Sequence, residues 1–230
     1  MPTTIDREAW PAAAVGAVPS LLALLLGRRR AAALLVALPV GIVAFFRDPD
    51  RRIDAAPVDA DTVVAPADGR VMHAGPGQDG VAPPATDQGD WQQVSIFLSV
   101  FDVHINRAPY GGTVTEVTYR PGKWLAAYKF ESATENERSD ITVEREVAGQ
   151  RRTIVFRQIV GAVARRVVTR IKAGDTVATG ERIGLMKFGS RMDVFVPLDV
   201  DLVAVEGDRT VAGETVIARW PAAAEPGSPR

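Results

Sequence analysis

A chain of 230 residues, 47% hydrophobic and 24% charged, can build one sizeable domain with an appendage or two small ones, and its composition is globular. A net charge of −1 provides no basic field for nucleic acid, so no nucleic-acid partner is expected. No cysteine is present, which excludes disulfides, thiolate metal sites and cysteine nucleophiles; two histidines, His73 and His104, are too few for an imidazole-rich metal centre, and no metal site is expected.

The first fifty residues differ in texture from the rest. Stretches 9–26 and 31–46 are almost wholly apolar and are separated by Gly27-Arg28-Arg29-Arg30. Each is shorter than the ~20 apolar residues of a full bilayer crossing, and Pro11, Pro19 and Pro39 interrupt them. Asp6-Arg7-Glu8 is not the basic start of a cleaved signal peptide. Neither stretch has the polar face of a surface helix. Residues 1–52 are therefore expected to form a membrane-associated helical hairpin, inserted in one leaflet with its arginines reaching the headgroups. A buried core hairpin is the competing reading. The expected location is the cell membrane, peripheral or monotopic, on its cytoplasmic face.

From residue 63 onward the pattern is of short strands. Alternating or β-branched runs occur at 63–64, 94–100, 112–119, 141–147, 153–160, 163–171 and 192–196. Turn formers stand between them, such as Pro66-Ala67-Asp68-Gly69, Ala148-Gly149-Gln150 and Ala173-Gly174-Asp175. Residues 76–90 read as a mobile loop, 124–130 as one or two helical turns, and 221–230 as a disordered tail. A weak repeat relates 112–123 to 161–175, with 205–208 and 211–214 echoing its second half. The expected fold is mainly β, a compact barrel or sandwich of antiparallel hairpins at 53–220. The block 161–184 is similar to lipoyl and biotinyl carrier domains.

The richest stretch is Lys187-Phe188-Gly189-Ser190-Arg191. Gly-Ser at a strand junction is most often only a turn. It also has a chemical meaning. A serine hydroxyl lies close to the preceding carbonyl, and a glycine there lets the peptide adopt angles closed to other residues. Attack by the hydroxyl would turn the peptide into an ester, and elimination would then break the chain. His104, at the end of an apolar strand, is of the residue type that moves protons near neutral pH. His73, on an alternating strand, is expected to be merely solvated.

Four ordered blocks carry a resemblance: Pro66-Ala67-Asp68-Gly69; Phe97-Leu98-Ser99 through Asp102-Val103-His104 to Arg107-Ala108-Pro109; Asn136-Glu137-Arg138; and Lys187-Phe188-Gly189-Ser190. Together they resemble the compact branch of the phosphatidylserine decarboxylase family, over roughly residues 63–220. The resemblance implies a proenzyme cut between Gly189 and Ser190 into chains 1–189 and 190–230, which remain together as a heterodimer. It implies a pyruvoyl group derived from Ser190, a Schiff base with the amine of phosphatidylserine, loss of carbon dioxide and release of phosphatidylethanolamine at a membrane surface. It implies roles for His104 as proton donor and Asp68 in activating Ser190, with Lys187, Arg191, Arg138 and Asn136 as candidate substrate ligands. Longer members carry a second histidine where Arg107 stands here. The rival is a biotinyl carrier: Met186-Lys187 after a Gly-Asp-containing repeat would then be a modification site at Lys187, with Ser190 inert.

Overall fold

The computed structural model describes residues 3–51, 60–85, 89–163, 166–187 and 189–221. Phe188, Ala164, Arg165, Thr86–Gln88 within the expected loop and residues 222–230 of the expected tail lie outside the described residues.

The N-terminal part holds β1 (Thr3–Ile5), helices α1 (Ala9–Leu25), α2 (Arg29–Leu35) and α3 (Ala37–Phe45), and β2 (Arg47–Pro49), which returns to pair antiparallel with β1. The second apolar stretch, expected as one helix, is thus two. Pro39 has no N–H for the Leu35 carbonyl and its ring crowds that group, so the helix breaks at Val36. Ser20 Oγ donates to the Ala32 carbonyl at 2.9 Å and fastens α1 to α2. No described helix is long and apolar enough to cross a membrane.

The remainder is mainly β. Its elements are β3 (Thr62–Val64), β4 (Gly69–Pro76), β5 (Trp91–Leu98), β6 (Ile105–Arg107), β7 (Gly112–Arg120), α4 (Ser132–Glu135), β8 (Arg138–Val147), β9 (Gln150–Ile159), β10 (Val167–Thr169), β11 (Thr176–Val177), β12 (Arg182–Met186), β13 (Ser190–Pro197), β14 (Asp201–Leu202), β15 (Arg209–Thr210) and β16 (Val216–Arg219). An antiparallel sheet in the order β11-β7-β8-β9-β13-β5-β4-β15 curls into a half-barrel. Two three-stranded sheets, β10-β12-β6 and β14-β16-β3, share its core, in which Val63, Ile96, Leu98, Tyr110, Ile141, Phe156, Ile183, Met192 and Trp220 form one cluster. The β8–β9 hairpin turns on Ala148 and Gly149, both at positive φ (51° and 78°), the twist a two-residue hairpin loop requires.

Local expectations shift in three places. Residues 124–130 are irregular, and the short helix lies later, at α4. The run 163–171 contributes only β10. Matching backbone contacts join other segments than the 112–123 and 161–175 expected to repeat. Ala65 and Val71 carbonyls accept from Gly213 and Gly207 N–H, and Ala108 and Val114 carbonyls accept in the same way from Gly180 and Gly174. Gly207 and Gly174 sit in turns of the same chemistry: Asp208 accepts from the Val205 N–H and Asp175 from the Lys172 N–H, both at 3.0 Å. The loop after β4 is irregular but anchored, since Gln78 N–H donates to Gln93 Oε1 and Val81 is buried.

The helices share a core with the β part. Ala9, Phe45 and Phe46 pack with Val103, Ile105 and Leu185. Around that cluster Arg170 holds Asp6 with two bonds (2.6 and 2.8 Å), Lys187 meets Glu8 at 3.1 Å, and Arg47 donates to the Phe101 carbonyl at 2.5 Å.

Candidate active site

Ser190 opens β13, a central strand paired with β5 on one side and β9 on the other. Side chains alternate along it. Met192, Val194 and Val196 fall in the main core, and Ser190 shares their face; its Oγ is fully buried and has no hydrogen-bond partner among the described residues. Gly189, just before it, has φ +67°, a left-handed conformation that a Cβ would penalise. The peptide at the strand entrance is therefore bent, with an unengaged hydroxyl on its C-terminal side.

His104 is delivered to that peptide by the loop before β6. Asp102 accepts from the Ser99 N–H with its side chain (2.8 Å), and the His104 carbonyl accepts from Met186 N–H at the end of β12 (3.3 Å). The imidazole then bridges two backbone groups: Nδ1 lies 2.9 Å from the Asp102 carbonyl, and Gly189 N–H donates to Nε2 at 3.1 Å. A carbonyl can only accept and an N–H can only donate, so the two contacts together fix the neutral tautomer with hydrogen on Nδ1 and a lone pair on Nε2. Burial pushes the His104 pKa down to about 4, against partial opposition from the Asp102 carbonyl and carboxylate and with help from the Arg47 charge. The Phe45 ring covers it, centre to centre 4.3 Å.

The carbonyl side of the 189–190 peptide is bounded by Gly161. A Cβ built there would stand 1.9 Å from the Gly189 carbonyl oxygen, so only glycine permits this approach. Asn136 holds the segment in place. Its Nδ2 donates to the Val160 and Leu125 carbonyls and its Oδ1 accepts from Leu125 N–H, all at 2.8 Å. A peptide with a free hydroxyl on its C-terminal residue, a close-packed backbone on its carbonyl and a neutral imidazole on the N–H one peptide upstream is equipped for intramolecular acyl transfer.

The family model described as phosphatidylserine decarboxylase matches residues 41–218. The chain belongs to this family. It is 45% identical over 190 residues to a protein of Solibacter usitatus named phosphatidylserine decarboxylase proenzyme, covering 80% of this chain and 84% of that one. A protein of the same name from Geotalea daltonii is 42% identical over 214 residues (93% and 95% covered), and one from Citrifermentans bemidjiense is 41% identical over 225 (95% and 98%).

In this member of the family the remaining candidates are dispersed. Asp68 gives Oδ1 to the Ala212 N–H (2.8 Å) and Oδ2 to Arg51 (2.7 Å) and is not hydrogen-bonded to His104 or Ser190. Burial raises its pKa, the Ala212 N–H and Arg51 offset that, and the nearby Asp102 charge adds to it. Arg191 projects to the face of β13 opposite Ser190. There it pairs with buried Asp193 at 2.6 Å and donates to Ser95 Oγ at 3.1 Å. Arg138 donates to the Thr134 and Asn136 carbonyls and lines, with Arg120 and Arg157, a cleft of about 240 Å³ under residues 80–84. Lys187 stays near the site, its ammonium held by Glu8 and lying 5.7 Å from the centre of the Phe46 ring. Arg107 is buried and spans to the Gly180 and Pro49 carbonyls (2.9 and 3.1 Å), tying β2 to the β6–β12 pair. His73 Nε2 lies 2.9 Å from the Pro76 carbonyl.

The sequence did not single out Phe45, Gly161 or the Asp102 carbonyl. Gly161 sat inside a recognised block, yet its neighbour in space lies 28 positions on. Phe45 is one apolar residue in an apolar run.

Proposed function

We infer that this chain is a phosphatidylserine decarboxylase made as a proenzyme, which cuts itself between Gly189 and Ser190 and retains residue 190 as a pyruvoyl group. The observation that carries this reading is the buried Ser190 hydroxyl, without a hydrogen-bond partner among the described residues, beside a neutral His104 that accepts the Gly189 N–H one peptide upstream of the bond to be cut. For cutting, the Nε2 lone pair exchanges the Gly189 N–H for the Ser190 hydroxyl and takes its proton as Oγ attacks the Gly189 carbonyl carbon. The C–N bond breaks and an ester forms. Loss of the residue 190 α-proton with departure of the Gly189 carboxylate gives dehydroalanine, and water then releases ammonia to leave the ketone. The pyruvoyl carbonyl supplies the site for the substrate amine and the sink for the electrons freed with carbon dioxide.

Several residues have proposed parts around this chemistry. His104 is the candidate to return a proton to the carbon that loses carbon dioxide. That role needs the imidazolium, which burial in the precursor disfavours, so it calls for a better-solvated ring after cutting. Asp68 lies near Asp102, whose carbonyl orients His104, and on that ground is a candidate for supporting maturation at one remove. Lys187 is the candidate cation for the lipid phosphate or carboxylate. Arg191, Arg138 and Asn136 are committed elsewhere, which argues for structural parts.

The cut chains 1–189 and 190–230 are expected to stay together, because β13 is hydrogen-bonded along both edges and β16 pairs with β3. A lipid substrate also accounts for the exposed apolar side chains of the helices. Leu25 is 82% exposed and Leu26 72%, with Phe101, beside the His104 loop, at 84%. Such a surface suits a hairpin lying in one leaflet, on the cytoplasmic side, rather than a span. The domain division at residues 52 and 221 and the likeness of the paired Gly-Asp turns to carrier domains belong to the same reading. Lys187, half-buried between Glu8 and Phe46, is poorly placed to be a carrier's exposed modification site.

The test is the state of the chain itself. Purified wild type should run as two chains on a denaturing gel, and intact mass should show residue 190 without an amine. Ser190→Ala should remain a single uncut chain unable to decarboxylate phosphatidylserine; decarboxylation by that variant would remove the reading.

A further inference from the structure

Phe45, in the N-terminal part, packs on the imidazole that accepts the Gly189 N–H. Its ring lies 4.3 Å from that of His104 with the planes tilted by 39°, and Phe46 braces it edge-on at 5.2 Å. Both phenyl rings are buried, as is His104 at 2% exposure, in the cluster that includes Val103, Ile105 and Leu185. Three polar ties around this cluster lock the same segment down: Asp6 to Arg170, Glu8 to Lys187, and Arg47 to the Phe101 carbonyl. One of these, Lys187, is two residues from Gly189. A membrane attachment alone would not need α3 to end on the imidazole face.

We propose that Phe45 is a positioning residue for self-cleavage: the end of α3 clamps the His104 ring on the Gly189 N–H, next to the 189–190 bond, and shuts water from it, making residues 3–49 part of the cutting machinery. The proposal rests on the reading that His104 takes the Ser190 proton. The ring has hydrogen bonds only at its edge, to the Asp102 carbonyl and from Gly189 N–H, so in-plane position is set by those and face contact by Phe45. The charged groups facing the imidazole are Asp102 on its own loop and Arg47 just past α3, with the Lys187–Glu8 pair beyond Phe46. Without the phenyl cover, water reaches the ring, the desolvation that depresses its pKa is relieved, and Nε2 becomes protonated under mildly acidic conditions.

Two measurements on the full chain test this. In the first, pulse-labelled precursor is chased between about pH 5 and pH 8, a range that brackets the ordinary imidazole pKa. Wild type should cut at a nearly constant rate down to about pH 5. Phe45→Ala should cut roughly tenfold or more slowly, a fraction of the 10²–10⁴ that a positioned base contributes, with a further fall below about pH 6.5. In the second, the two histidines are followed by nitrogen-15 NMR in the uncut Ser190→Ala precursor. His104 should remain the neutral Nδ1–H tautomer to about pH 5 with Phe45 present and titrate near pH 6.5 in the Phe45→Ala background. If Phe45→Ala does not fold, Phe45→Leu is measured in its place, with the same direction of change expected. A slower rate with unchanged pH profile and unchanged titration would make Phe45 merely structural and overturn the proposal, as would wild-type cutting. His104→Ala separates the two ideas: normal cutting by that variant refutes the base assignment, whereas loss of cutting there beside a wild-type Phe45 variant refutes only the clamp.

Discussion

A single methyl group added at Gly161 should stop the chain from cutting itself while leaving it folded. A Cβ there would stand 1.9 Å from the Gly189 carbonyl oxygen and 2.9 Å from its carbon. Carbon and carbonyl oxygen in close contact are about 3.3 Å apart, so one of the two backbones must retreat by roughly 1.4 Å. The 160–161 segment is held by the Asn136 amide through the Val160 carbonyl, so much of the movement falls on the scissile peptide. A displacement of ~1 Å from attack geometry costs on the order of 10²-fold, and cutting should slow by at least that much. Overpacking of this kind costs about 1–3 kcal/mol, small enough for the domain to survive. The assay is a time course of precursor against cut chains on a denaturing gel, paired with a thermal melt. Gly112→Ala is the control, since its Cβ would meet the Glu144 carbonyl oxygen at 2.3 Å in the β7–β8 ladder. It should lose stability and still cut. A Gly161→Ala variant that melts like wild type and cuts at the wild-type rate would refute the assignment of Gly161 to the scissile carbonyl.

Three further outcomes are expected. Acid should destabilise the uncut Ser190→Ala precursor between about pH 6.5 and pH 4, because the unfolded chain protonates His104 at its ordinary pKa while the folded chain resists until about 4. The loss should total about 3 kcal/mol in urea unfolding and should vanish in a precursor carrying His104→Phe as well. Asn136→Ala strips three hydrogen bonds from a fully buried amide, leaving groups of Leu125 and Val160 unpaired at about 1–3 kcal/mol each, and should both lower the melting temperature and slow cutting. Arg191→Met leaves buried Asp193 without its partner and should cost about 3–5 kcal/mol of stability; a raised KM at unchanged stability would instead make Arg191 a substrate ligand.

The β class was legible in the sequence, and the proposal for Gly189-Ser190 could be made from it, because both rest on local facts. A glycine before a serine bears on one peptide, and alternation along a strand is a property of neighbours two apart. Alternation also separates Ser190 from Arg191, although adjacency in the chain had suggested a shared site. The extent of α1 was legible, but α2 begins at Arg29, inside the expected separator, and ends at a break at Val36, where the consequence of Pro39 falls one turn upstream of the proline itself.

The surroundings of the 189–190 peptide were decided only in three dimensions. Asp68 turns to Arg51 and the Ala212 N–H, Gly161 comes against a carbonyl 28 positions away, and the end of an apolar helix covers an imidazole 59 positions away. Burial, which sets the protonation of His104, is a property of everything packed on it. The sequence determined that residue 190 carries a hydroxyl and residue 104 an imidazole. The tertiary structure decided that the first has no partner and the second no charge, because solvation and contact arise from packing between distant segments and leave no periodic trace along the chain.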